Sequence, residues 1–90
     1  MKRLHITISG NVQGVSFRYY AKLRAKELFL DGWIKNVEFN KVEIVIEGKD
    51  DEVDMFLEWC KEGPYYTDIE DIKIEEEDFQ REFKDFEVRY

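Results

Sequence analysis

The chain of 90 residues holds one cysteine, one histidine and one proline. The lone Cys60 excludes an intrachain disulfide framework and any cysteine-based metal centre, and such sparing use of thiols points to the cytoplasm. No stretch approaches the length of a membrane span, and the N-terminus has no apolar signal core, so no membrane partner is expected. Side-chain amides are scarce too: Asn11, Gln13, Asn36, Asn40 and Gln80 are all the chain has. Together with abundant Glu, Lys and Ile, that scarcity is the bias of heat-adapted proteins and suggests thermostability. Three of the five, Asn11, Gln13 and Asn36, stand in the two segments that carry the chemistry below.

The net charge of −7 conceals an asymmetry. Residues 1–42 hold eight Lys/Arg against three acids, a balance of +5, and residues 43–90 hold six against eighteen, a balance of −12. A solvated, ion-paired surface accounts for much of this. An anion site in the basic half is also compatible with it. A nucleic-acid partner is not expected, because a duplex binder needs a broad basic face that the acidic half would oppose. Hydrophobic residues make up 43% of the chain, enough for one modest core, so residues 1–90 are expected to form a single domain.

Residues 10–18, Gly-Asn-Val-Gln-Gly-Val-Ser-Phe-Arg, join an alternating segment to a helical one. A glycine-containing loop that runs into a helix turns several backbone N–H groups into one concavity, with the positive end of the helix dipole behind it. Such a place binds a tetrahedral anion, and Arg18 adds a planar fork of donors. The expected phosphate-binding set is therefore Gln13, Gly14, Val15, Ser16, Phe17 and Arg18.

Leu4, Ile6 and Ile8 alternate with polar residues and predict a first strand. Phe17, Ala21, Ala25 and Leu28 fall at helical spacing over residues 16–29, with Ser16 as a candidate N-cap and Asp31-Gly32 as the turn out. Two strands, 33–39 and 41–47, flank a turn at Phe39-Asn40. A second helix with Val53, Phe56, Leu57 and Cys60 on one face ends at Gly63-Pro64. Ile69, Ile72 and Ile74 predict a further strand, and Phe86, Val88 and Tyr90 a last one after an acidic, unpatterned stretch. The order is β-α-β-β-α-β plus a terminal strand: a ferredoxin-like α+β two-layer sandwich, with both helices on one face of a mainly antiparallel sheet. The inward residues are then Leu4, Ile6, Ile8, Ile34, Val42, Ile44, Ile46, Ile72 and Ile74, and the open face carries Arg3, His5, Lys35, Lys41 and Glu43.

By strand parity Asn36 shares the helix-facing side with Ile34. A neutral amide there can hold a water beside a bound phosphate, or simply satisfy backbone groups at a strand end. Both roles are open to it.

The motif Gly10-x-Val12-Gln13-Gly14-Val15-x-Phe17-Arg18, followed by Gly32-Trp33-Ile34-Lys35-Asn36, resembles the two signatures of the acylphosphatases. Val42-Glu43 and Gly63-Pro64 agree with the same family, and the resemblance spans essentially the whole chain. It implies hydrolysis of a carboxyl-phosphate anhydride to a carboxylate and inorganic phosphate. The catalytic pair would be Arg18, binding the phosphate, and Asn36, orienting the water. It also implies a small acyl phosphate as substrate, a phosphate or sulfate ion in the loop, no metal, no cofactor and a monomer. The chemistry is coherent with this. The leaving carboxylate has a conjugate acid of pKa about 4 and needs little help from a general acid. Phosphoryl transfer then depends mainly on positioning and on stabilising charge at the phosphoryl oxygens.

Four positions depart from the usual pattern: Asn11, often basic in the family, Phe29, the Phe39-Asn40-Lys41 turn and Thr67. None is a residue matched to catalysis. Two rivals have clear discriminators. A phosphate-binding module of a larger maturation enzyme would not turn over benzoyl phosphate, and the absence of flanking zinc fingers weighs against it. An RNA-binding module would need stacking aromatics on the central strands, where the first strand offers only His5. Cys60, His5, Tyr19-Tyr20 and Tyr65-Tyr66 are expected to be structural, and Glu75-Glu76-Glu77-Asp78 a solvated strand end.

Overall fold

In a computed structural model the chain forms β1 (Lys2–Asn11), α1 (Val15–Glu27), β2 (Asp31–Val37), β3 (Lys41–Gly48), α2 (Asp50–Glu62), β4 (Asp68–Glu77) and β5 (Phe86–Arg89). The structure describes residues 1–13, 15–38, 40–64 and 67–90, with Val15 described by its backbone alone. The five strands form one sheet in the order β4-β1-β3-β2-β5. β1 runs antiparallel to β3 and β4, β2 runs antiparallel to β3, and β5 lies parallel to β2. β1 and β2 therefore share a direction with β3 between them, so α1 is a crossover that returns the chain to the sheet two places away.

The register aligns the alternating residues in rows. Ile6 and Ile34 both pair with Ile44, and all three are fully buried. Burying one such side chain is worth roughly 1.5–3 kcal/mol, so rows of them outweigh any local propensity in fixing which side of each strand turns inward. α1 lies over β2 and β5 and α2 over β1 and β3, so both helices cover one face. Ala21 and Ala25 are fully buried on α1; their small side chains let that helix approach the sheet closely. Aromatic rings bind the layers together: Phe56 meets Phe86 of β5 at 6.2 Å and Trp59 at 5.7 Å, and Trp59 meets Phe17 of α1 at 5.6 Å.

Several local expectations are corrected. Ser16 lies inside α1 rather than capping it, because the helix already begins at Val15. The helix ends at Glu27, and the chain turns at Leu28-Phe29, where Phe29 takes φ 56 and stands 85% exposed. Asp31-Gly32 belongs to β2, not to the turn. Gly32 has φ 146, and a Cβ there would lie 1.9 Å from the Val45 carbonyl oxygen, so its glycine serves close strand approach. Of the inward set, Ile74 is 41% exposed, since β4 is an edge strand that reaches beyond the helices. β2 ends at Val37, and Glu38, expected in the strand, takes φ 50; of the turn expected at Phe39-Asn40, Phe39 lies outside the described residues, as do Tyr65 and Tyr66.

The open face departs most from expectation. Residues 78–85 fold across one end of it, and Arg3 becomes buried instead of exposed. Its Nε donates to Glu77 at 2.8 Å, and its Nη1 donates to Glu82 at 2.8 Å and to Glu47 at 3.2 Å. The Phe83 ring centroid sits 5.2 Å from the guanidinium. Glu47, 2% exposed, also accepts from the backbone N–H groups of Gln80 (2.8 Å) and Glu82 (3.0 Å). Burial alone would raise the Glu47 pKa, but those two N–H groups and Arg3 outweigh it and hold the carboxyl below its usual range. An acidic stretch without apolar pattern is thus pinned by a buried charge cluster that no periodicity reveals. His5 stays on the open face, its Nε2 2.6 Å from Glu43.

Candidate functional site

The loop between β1 and α1 begins at an irregularity. The β1–β4 register shifts between Ser9 and Gly10, and Gly10 takes φ 135. A Cβ on Gly10 would lie 2.1 Å from the Asp68 carbonyl oxygen and 2.9 Å from the Glu70 nitrogen, both backbone atoms that cannot give way. Only glycine fits there. The Gly10 N–H donates to the Asn40 carbonyl at 2.9 Å, tying the start of the loop to the β2–β3 hairpin. Val12 is fully buried and anchors the loop from below.

Gln13 makes the second tie. Its Nε2 lies 2.6 Å from the Glu38 carbonyl, 3.1 Å from that of Lys41 and 3.3 Å from that of Val37. These carbonyls belong to the two residues after Asn36 and to the residue before Val42, which is Asn36's partner across the strands. The amide therefore clamps the loop to the stretch of backbone that carries Asn36. Two amide protons shared among three acceptors leave the side chain nothing to offer an anion, so it works as a brace.

Arg18 stands in the first turn of α1, a turn without an acidic residue. The first N–H groups of any helix lack intrahelical partners, which in α1 includes those of residues 15–17. The Nε of Arg18 is buried with no hydrogen-bond partner among the described residues, and the Oδ1 of Asn36 is in the same condition. A buried, unpaired donor and a buried, unpaired acceptor are each costly to leave unmade, by roughly 1–3 kcal/mol. The Cζ of Arg18 lies 4.9 Å from the centroid of the Tyr90 ring. In the parallel β2–β5 register Ile34 is level with Val88 and Lys35 with Arg89. Tyr90 follows directly on Arg89, the last residue of β5.

Of the residues expected to bind phosphate, the structure places Ser16 exposed on the first turn of α1, Phe17 99% buried against Trp59, and Arg18 half-buried beside Tyr90. Val15 opens the helix, and Gly14 lies outside the described residues. Sequence reading overlooked the brace made by the Gln13 side chain and the stacking of Tyr90. The alternation of Phe86, Val88 and Tyr90 was the available signal for the latter, since it groups Tyr90 with the residues of one side of the last strand. The Cys60 thiol is buried, and burial pushes its pKa up, away from any nucleophilic role. Among the described residues no helix is long and apolar enough to cross a membrane. Among the described residues no group of three or more His, Cys, Asp or Glu could hold a metal ion.

The chain has relatives among known proteins in both sequence and fold. A family model described as acylphosphatase matches residues 4–88. The acylphosphatase of Syntrophus aciditrophicus is 38% identical over 90 residues, covering all of this chain and 94% of that one. The crystal structure of acylphosphatase from Bacillus subtilis superposes with a TM-score of 0.93 at 33% identity, covering 100% of both chains. The structure of an acylphosphatase from Coxiella burnetii gives 0.90 at 39% identity, covering 98% of this chain and 92% of that one.

Proposed function

The chain belongs to the acylphosphatase family and hydrolyses acyl phosphates, and from that premise we propose how its residues carry the reaction. The first-turn N–H groups of α1 and the Arg18 fork grip the phosphoryl oxygens. Asn36 accepts a hydrogen bond from a water and aims its oxygen at phosphorus. The water oxygen bonds to phosphorus, the bond from phosphorus to the acyl oxygen breaks, and its electron pair leaves on the carboxylate. The water's proton passes to an oxygen of the phosphoryl group, because Asn36 cannot take it. Fixed donors around the phosphoryl oxygens stabilise the charge that moves during transfer without reorganising.

Three buried side-chain atoms lack a partner among the described residues, Arg18 Nε, Arg24 Nε and Asn36 Oδ1. The observation that carries this reading is that two of them, the Arg18 donor and the Asn36 acceptor, belong to the first turn of α1 and to the strand that Gln13 ties to the loop before that helix. A phosphoryl group and a water would satisfy both. The reading also has inorganic phosphate or sulfate binding in the 13–18 loop and residues 1–90 acting as one acylphosphatase domain. It takes the protein to be a cytoplasmic, thermostable monomer. Hydrolysis of benzoyl phosphate, competitive inhibition by inorganic phosphate, and a phosphate-induced shift of the Arg18 Nε resonance in NMR are the expected results. A full rate with no phosphate inhibition and no such shift would refute the site. Dependence of the rate on an enzyme group of pKa near that of histidine, rather than on substrate ionisation, would refute the proton's route.

A further inference from the structure

Beside Arg18 the surface falls into a concavity of about 370 Å³ lined by Arg18, Tyr19, Lys22, Glu87, Val88 and Tyr90. Arg18 and Lys22 stand four residues apart on α1, a spacing at which like charges face one another and repel. Other cations of the same helix are relieved by acids: Arg24 by Glu27 at 3.7 Å and Lys26 by Asp85 at 3.9 Å. Among the described residues neither Arg18 nor Lys22 has a carboxylate within 4.0 Å. The one acid in the lining, Glu87, is already hydrogen-bonded to Arg89 at 2.8 Å. Two unneutralised cations on one wall of a concavity form an arrangement that a ligand with two negative charges would relieve.

We propose that this concavity receives the acyl part of the substrate, and that Lys22 selects acyl groups bearing a second anionic group. This rests on the reading of Arg18 as the phosphoryl anchor. In an in-line displacement the leaving carboxylate departs on the side opposite the incoming water. Asn36, which holds the water in that reading, does not line the concavity, whereas Arg18 does. An acyl group attached to a phosphoryl on Arg18 thus has this space beside it, with the rings of Tyr19 and Tyr90 and the side chain of Val88 as apolar walls. Four residues of helix rise by roughly 6 Å, about the span of a four-carbon chain from the phosphoryl group to a terminal carboxylate. The substrate class is a monoacyl phosphate of a short dicarboxylic acid, or an acyl group ending in another anion at that distance.

Lys22 touches a part of the substrate that does not react, so it strengthens ground state and transition state alike. Its effect belongs in KM, not in kcat. The test compares succinyl phosphate with butyryl phosphate, which share chain length and differ in the terminal carboxylate. The wild-type enzyme is expected to favour succinyl phosphate in kcat/KM by about three- to tenfold, as for one partly exposed charge pair, with the preference shrinking as salt is raised. Lys22→Met brings that ratio to about one through KM, and Lys22→Glu inverts it. Taking the ratio within each variant cancels any general change in folding or phosphate grip. If Lys22→Met keeps the wild-type ratio while Arg18→Gln is inactive on both substrates, the acyl pocket is wrong and the anchor stands. If Arg18→Gln hydrolyses butyryl phosphate at the wild-type rate, the anchor falls and the pocket with it.

Discussion

The Arg18 guanidinium lies under the ring of Tyr90, with Cζ 4.9 Å from the ring centroid. The ring face attracts the cation and limits the directions in which the fork can point. Tyr90 is itself exposed, which puts the pair at the weak end for such contacts. Tyr90→Leu is expected to lower kcat/KM on benzoyl phosphate by about two- to fivefold, with Tyr90→Phe close to wild type. Equal loss in both variants would assign the effect to the hydroxyl instead of the ring.

Arg18→Gln should lower kcat by about 10² to 10³, as for removal of one well-placed donor from a site that stabilises developing charge, and Asn36→Ala, which removes the acceptor that orients the water, should lower it by about as much. Stability should move the other way. Arg18 Nε and Asn36 Oδ1 make no hydrogen bond within the described protein, so truncating either removes an unmade bond, not a made one. Urea midpoints equal to or above that of the wild type are expected. A large fall in midpoint would mean that both groups serve the fold.

Gln13 gives a sharper comparison. Gln13→Ala removes a donor shared among the Val37, Glu38 and Lys41 carbonyls and should cost about 1–2 kcal/mol in unfolding free energy. Gln13→Glu has nearly the same shape, but at neutral pH it aims a carboxylate at those carbonyl oxygens. It should be the worse of the two in both stability and kcat/KM. Phosphate titrations would find binding weakened in both, because the brace holds the loop against the strand that carries Asn36. A Glu variant as active as wild type would show that the clamp does not position the site.

Acid stability should depend on Glu47 and Glu77. Hydrogen bonding from Arg3 holds the Glu77 carboxyl below its ordinary 4.5, and the Gln80 and Glu82 N–H groups with Arg3 do the same for Glu47 against the opposing effect of burial. A carboxyl whose folded pKa is lowered stabilises fully above its unfolded pKa, and that stability is lost as pH falls through the folded value. Stability should therefore decline as pH drops below about 4.5. Asp31 acts in the opposite sense: burial first, and then Asp85 and Glu47, raise its pKa, so its protonation on acidification favours folding. Glu47→Gln should cost about 2–3 kcal/mol at neutral pH and flatten the acid limb. Thermal melts from pH 7 to pH 3 measure both. An acid limb as steep as that of the wild type would exclude Glu47 as its source.

The layer architecture was legible because each strand's inward residues alternate within a few positions of one another, and the rows of Ile6, Ile44 and Ile34 simply add such local patterns. Arg18 and Asn36 were legible for a different reason: loop glycines, an arginine one turn into a helix, and strand parity are all short-range signals. Ser16 and Phe29 misled because helix ends depend on where the chain must turn to reach the sheet. Propensity within the helix does not decide that.

By itself the amino-acid sequence determined the element types, the helix-facing side of each strand, the family and the chemistry of the site's donors, all of which follow from residues close together in the chain. Only the tertiary structure decided that Tyr90 stacks on Arg18, that Gln13 braces the strand of Asn36, and that Arg3 is buried against Glu82, 79 positions away. Such pairs leave no periodic trace. They exist because the sheet order β4-β1-β3-β2-β5 brings distant segments within hydrogen-bonding reach, and burial makes it costly to leave their polar atoms unpaired.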